Sequence, residues 1–131
     1  MGGVWTIFPH ISIASFDGGG RGVLLSQLFP GETVGESITV QHYLLQNKPD
    51  EEGEKGAREQ FKFLRYVVEE EDYATGLKQQ VALASGAKKV VTFGKNEGGG
   101  SRFHAWVDLL LQTPDQELGA LFKSPFDPLL S

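Results

Sequence analysis

The sequence predicts an α+β fold in which helices pack on one face of an antiparallel sheet. The first third of the chain contains segments rich in β-branched and aromatic residues, separated by turns that contain Gly and Pro. The remainder contains segments whose apolar residues recur at helical spacing. Since compact domains cluster near ~100–150 residues, we expect a single domain over residues 1–131.

Three strands are predicted in the first third, at 4–14, 23–28 and 34–46. Pro9 interrupts the first strand, which favours an edge position or a bulge because proline cannot donate to a sheet ladder. Polar and other residues alternate along the third strand with the period of two that strands show: Ser37, Thr39 and Gln41 against Ile38, Val40 and His42. The strands are expected to form an antiparallel meander.

Two helices are predicted on either side of an acidic run. The first covers 54–69 and places Phe61, Leu64 and Val68 on one face. The second covers 72–84, with an apolar face of Tyr73, Leu77, Val81 and Ala84, and stops at Ser85-Gly86. We interpret the acids at 69–72 as the start of this second helix, where carboxylates favour the positive end of the helix dipole.

The last third is predicted to contain one further helix and little else. A short strand or turn at 89–94 precedes it, Ser101 caps it, and Thr113-Pro114 ends it. One weak helical turn follows at 116–122, and Pro125 and Pro128 favour an extended finish.

Composition excludes several classes of protein. Twelve basic residues against seventeen acidic ones give a net charge of −5, which argues against nucleic-acid binding, because that depends on Lys and Arg neutralising phosphates. The chain has no Cys, so it has neither disulfides nor a thiolate-held cluster. No apolar run approaches the ~20 residues of a membrane span, and we expect a cytoplasmic protein that binds no membrane.

The three histidines give no metal motif by themselves. His10, His42 and His104 stand far apart, and none has a second His three or four residues away. His104 and Asp108 are four apart on the predicted third helix, where a surface pair is the favoured interpretation and a metal or acid–base role the alternative.

Four segments resemble, in order and over roughly residues 3–108, the catalytic domain of the large (alpha) subunit of Rieske-type ring-hydroxylating dioxygenases. They are Trp5-Thr6-Ile7-Phe8-Pro9-His10-Ile11-Ser12-Ile13, Phe29-Pro30-Gly31-Glu32-Thr33, Glu69-Glu70-Glu71-Asp72-Tyr73, and Phe93-Gly94-Lys95-Asn96-Glu97 with Phe103-His104. His10 stands where that family usually has Asn. The resemblance implies a partial helix-grip fold and the C-terminal portion of such a catalytic domain.

In that family a non-haem Fe(II) is held by two His and one carboxylate. The resemblance assigns the carboxylate to Asp72, eight residues before Gln80, and implies that the two His ligands lie upstream of this chain. A Rieske cluster needs two Cys and two His, so this sequence, which has no Cys, cannot carry one. We therefore expect an orphan metal ligand at Asp72, no cofactor and no catalytic residue in the isolated chain, and Fe(II) only in the complete family site.

Two functions remain open, and with them whether the chain is an enzyme. In the first, it is a fragment or truncated relative of an aromatic-ring-hydroxylating dioxygenase, an oxidoreductase inactive alone. In the second, it is a small binding or assembly module for an apolar or aromatic small molecule. Because a short sheet leaves edges that invite pairing, we expect a homo-oligomer, with strand 4–14 or 34–46 at the interface.

Overall fold

The computed structural model describes residues 2–17, 21–87 and 89–123. The chain divides into two compact units, Met1–Lys89 and Val90–Ser131, and each is described by itself. The single domain expected over 1–131 stays a prediction.

The first unit begins with a four-stranded antiparallel sheet. Its strands are β1 (Val4–Ile7), β2 (Ile11–Asp17), β3 (Arg21–Pro30) and β4 (Ser37–Leu45), and they lie side by side in chain order. The register pairs Trp5 with Ile13, Leu24 with both Ala14 and Tyr43, and Leu28 with Thr39. The α+β class and the meander are confirmed, with one strand more than predicted.

The single strand predicted at 4–14 is wrong, because β1 and β2 are the two arms of a hairpin. The chain turns at 8–10, and the Phe8–Pro9 peptide is cis. Proline has no backbone N–H and a fixed φ, so the extended ladder cannot continue through it unchanged. After the turn, Ile11 pairs with Ile7, and β2 runs antiparallel to β1.

One uninterrupted helical run, 51–84, follows the sheet. It consists of α1 (Glu51–Val67), a π-helical segment (Val68–Tyr73) and α2 (Ala74–Ala84). Helix α1 begins three residues earlier than the predicted start at 54. Asp50 caps it, because its carboxylate accepts the Gly53 N–H at 2.8 Å and so satisfies a free donor of the first turn. Neither the π segment nor α2 has a side-chain cap.

Helix α1 lies over one face of the sheet, which we call the helix-side face. The Tyr43 ring of β4 stacks on Phe61 of α1, with ring centroids 6.1 Å apart and planes 11° from parallel. Leu24 and Leu64 are the buried apolar side chains among the described residues, at 5% and 7% exposure. This small core holds the helical run against β3 and β4.

Strand alternation puts a second set of apolar side chains on the opposite, outer face. Its exposed members are 38% to 58% accessible: Trp5, Ile7, Phe29, Ile38, Val40 and Leu44. On β4 the polar members of the alternation, Ser37, Thr39 and Gln41, lie on the helix-side face. The helix therefore covers the more polar side of this strand.

The second unit contains α3 (Gly98–Gln112) and α4 (Leu118–Leu121). Trp106 of α3 stacks on Phe122, with ring centroids 6.1 Å apart. The prediction that Ser101 caps α3 is wrong, since the glycines at 98–100 form its first turn, but its end at Thr113 is confirmed. Residues 89–93 form no strand, and Pro125 and Pro128 lie outside the described residues.

None of the helices described has both the length and the apolar character that crossing a bilayer requires.

Candidate functional site

A cavity of about 630 Å³ lies in the first unit, between the helix-side face of the sheet and the second half of the helical run. Strands β3 and β4 with their connecting loop form one wall, and the π segment with α2 forms the other. The lining residues are Leu28, Val34, Gly35, Glu36, Ser37, Thr39, Asp72, Tyr73, Gly76, Leu77 and Gln80. It is the candidate ligand site of this unit.

The loop between β3 and β4 brings Glu36 to the cavity. Gly31 N–H donates to the Glu36 carbonyl at 3.0 Å, and Glu36 N–H donates to the Thr33 carbonyl at 3.1 Å, so the loop closes on itself. A Cβ at Gly31 would lie 2.6 Å from the Glu36 Cβ and 2.9 Å from its carbonyl carbon. Only glycine fits this close approach, which fixes Glu36 beside the cavity.

Gln80 connects the two walls. Its side-chain nitrogen lies 3.9 Å from the position that a Cβ on Gly35 would occupy, so the amide reaches across to the β3–β4 loop. Gln80 and Thr39 are half-buried. A ligand in the cavity would therefore meet a carboxamide and a hydroxyl, each able to donate and accept a hydrogen bond.

Asp72 lies in the π segment and lines the cavity beside Tyr73. The interpretation of 69–72 as the start of a new helix is wrong, because the backbone is helical through Val67 and Ala74 and no terminus exists there. Arg65 pairs with Glu69 at 3.1 Å in the solvated i,i+4 geometry. The acids therefore belong to a register change inside one helix.

The π segment turns α2 toward the sheet. Leu64 and Gln80 are sixteen residues apart, and a regular helix with about 100° per residue would put them about 160° apart, on nearly opposite sides. A π turn closes with i→i+5 bonds and accommodates an additional residue, which removes about 100° of this difference. Gln80 therefore returns to within about 60° of the side on which Leu64 is buried.

Tyr43 lies on the same face of β4 as Thr39 but does not line the cavity. Its hydroxyl is buried and has no hydrogen-bond partner among the described residues. Burial without a partner disfavours the phenolate and raises the pKa of Tyr43 above its ordinary value. A Cβ at Gly22 would lie 2.5 Å from this hydroxyl, so the glycine makes room for the ring.

Within the first unit, His10 and His42 lie away from Asp72. His42 pairs with Leu25 and lies on the outer face of the sheet, away from the cavity. The His10 ring lies 5.7 Å from that of Phe29, another outer-face residue. His104 belongs to the second unit, where its ring lies 5.3 Å from Phe93. No group of three or more potential metal ligands occurs among the residues described.

Of the polar residues that line the cavity, the sequence singled out only Asp72, whose role as a metal ligand stays a prediction; it did not point to Glu36, Thr39 or Gln80. The polar alternation on β4 was a usable signal for Thr39, since an inward polar row on a strand is typical of a lined cavity. No local pattern marks Glu36 or Gln80, because a turn and a helix register bring them together only in three dimensions.

The sequence profile of the family described as ring hydroxylating alpha subunit (catalytic domain) matches residues 1–113. The match spans the sheet, the helical run and α3 up to its end. No curated protein and no solved structure matches the chain significantly.

Proposed function

Because the chain belongs to the catalytic-domain family of ring-hydroxylating alpha subunits, we propose that its cavity holds an aromatic ring beside the Asp72 carboxylate, as part of an oxygenase site. The observation that carries the proposal is the position of Asp72 on the wall of a cavity whose other side chains include Leu28, Tyr73 and Leu77. Ligand sites of this kind are concave and mostly apolar, with a few polar groups that fix orientation.

Asp72 is the proposed carboxylate ligand of a non-haem Fe(II). Such a centre needs two imidazoles in addition to one carboxylate. The described residues do not fit the complete centre, since His10 and His42 belong to the turn and outer face of the sheet. We propose that the chain is inactive alone and that both imidazoles come from outside the described residues.

A binding module is the second candidate function. The same cavity supports it, because apolar side chains and hydrogen-bonding groups suffice to hold a small aromatic molecule without a metal. The two candidate functions differ in the role of Asp72. In an oxygenase site the Asp72 carboxylate binds the metal, so its charge is required. In a binding module no metal is needed for the ligand to bind.

The self-association expected from the sequence leads to a proposal about the outer face. Contiguous exposed apolar surface of this kind marks interaction sites. We propose that a second copy covers it around a two-fold axis, with β4 near the interface, since homo-oligomers mostly close as two-fold dimers.

Fe(II) titration of the isotope-labelled chain under anaerobic conditions tests the metal proposal. Paramagnetic Fe(II) should broaden the amide signals of Tyr73 and Gly76 in the wild type and in the control Glu70→Gln, and leave them sharp in Asp72→Asn. Broadening that survives Asp72→Asn contradicts the ligand assignment. Iron analysis and a native mass, measured on protein purified without added metal, should give iron well below stoichiometric and a dimer. Stoichiometric iron or a monomer would contradict the corresponding proposal.

A further inference from the structure

The charged residues that line the cavity are all acidic. Glu36 stands on the loop wall and Asp72 on the helix wall, and none of the described lining residues is basic. Aromatic carboxylates are held in proteins by Arg, Lys or several converging N–H donors, because charge-assisted bonds offset the cost of desolvating the anion. The charged groups that line this cavity are instead carboxylates, which repel an anionic ligand.

The remaining polar groups suit an uncharged substituent. Gln80 and Thr39 are half-buried on opposite walls, and each can donate and accept one hydrogen bond or more. Leu28 and Leu77 provide apolar surface for a ring. A carboxamide or hydroxyl on that ring would find partners here without bringing a negative charge near Glu36.

Resting on the function proposed above, we infer that the cavity selects uncharged aromatic molecules with a hydrogen-bonding substituent and rejects aromatic carboxylates. Glu36 and Asp72 are both exposed, so for an anion bound roughly 6–8 Å from each of them, in a water-like dielectric, the two carboxylates weaken binding by about tenfold at low ionic strength. Glu36 is the specificity residue, since its charge remains when Asp72 is neutralised by a bound cation.

Three ring compounds of nearly equal size and shape test the inference: benzoate, benzamide and benzamidine, which carry negative, zero and positive charge at neutral pH. Each is titrated into the isotope-labelled full chain at low ionic strength, and the shifts of the Thr39, Gly76 and Gln80 amide signals give the Kd. We expect benzamide to bind about tenfold more tightly than benzoate, and benzamidine at least as tightly as benzamide. High salt should reduce the differences in Kd among the three compounds, because it screens the charges.

Glu36→Gln should raise the affinity for benzoate several-fold while that for benzamide stays nearly constant. The matched control is Glu59→Gln, which removes the same charge from an exposed position on α1, roughly 20 Å along the helical run from Asp72. It should leave the ratio of the two affinities unchanged.

Each failure has a separate meaning. Equal affinities for benzoate and benzamide, weaker binding of benzamidine than of benzamide, or an unchanged ratio in Glu36→Gln would overturn the inference and leave the proposed aromatic site standing. If none of the three compounds shifts the cavity signals, the proposed aromatic site falls, and the inference with it.

Discussion

Removing one residue from the π segment should be tolerated, whereas the same deletion in the regular part of the helix should not. A single-residue deletion in a regular helix rotates everything on one side of it by about 100° relative to the other side. With side chains about 5 Å from the axis, that rotation moves each by about 8 Å. Deleting Glu70, which lies inside the π segment, instead shortens that segment by the one additional residue that a π turn accommodates, and regular i→i+4 bonding then keeps both faces in place.

Deletion of Glu70 should leave the rotational position of Gln80 relative to Leu64 nearly unchanged. After deletion of Glu70, fifteen residues of regular helix separate Leu64 from Gln80, which leaves about 60° between them, as the π segment does in the intact chain. The remaining change is a shift of about 1.5 Å along the axis. We expect the free energy of unfolding to stay within about 1 kcal/mol of the wild type, since surface changes in mid-helix have effects of this size.

Deletion of Lys62, an exposed residue in α1, is the matched comparison. It rotates Phe61 about 100° from Leu64, so Phe61 leaves Tyr43, and the loss should reach the ~3–5 kcal/mol of a removed core aromatic ring. Urea unfolding followed by circular dichroism measures both, with Glu70→Ala and Lys62→Ala as controls of unchanged length. If both deletions destabilise equally, the π segment does not set the register of α2.

Two further predictions concern the small core. Tyr43→Phe should be neutral or stabilising by up to about 1 kcal/mol, because it removes a buried hydroxyl without a partner. Since the pKa of Tyr43 is raised in the folded state, the folded chain holds the phenolic proton more tightly than the unfolded chain does. The free energy of unfolding of the wild type should therefore fall above about pH 10, and Tyr43→Phe should lack this part of the decrease. Equal pH profiles of the two proteins in urea unfolding would contradict the assignment. Leu64→Ala should cost about 2–3 kcal/mol, and Leu77→Ala, which is 65% exposed, less than about 1; comparable losses would mean that Leu64 is not the core of this unit.

The sequence contained a signal for the π segment that was interpreted as a helix boundary. Apolar residues recur at spacings of three and four along both halves of the run, but the spacing from Val68 to Tyr73 is five. A spacing of five on one face is the mark of an inserted residue in a continuous helix. The acids in between made a helix start the more obvious interpretation, because carboxylates favour that position on their own.

The site was predictable only where chemistry and chain position coincide. Asp72 was singled out by a local string that resembles the family, and it lies on the cavity wall, while its role as a metal ligand stays a prediction. Glu36 reaches the cavity because Gly31 permits a tight loop, and Gln80 because the π segment rotates α2. Both positions depend on how the chain folds in three dimensions, which no short stretch of sequence shows.

The orientation of β4 links the site to the proposed assembly. Its polar residues face the helix and line the cavity, while Ile38, Val40 and Leu44 face outward at 58%, 38% and 52% exposure. Apolar burial is the dominant favourable term in folding, and in this unit the polar lining of the cavity occupies surface that a core would otherwise use. The outer face then holds the apolar area from which further stability must come. A layer that covers it would stabilise the fold without narrowing the cavity, because the two lie on opposite faces of the same strands.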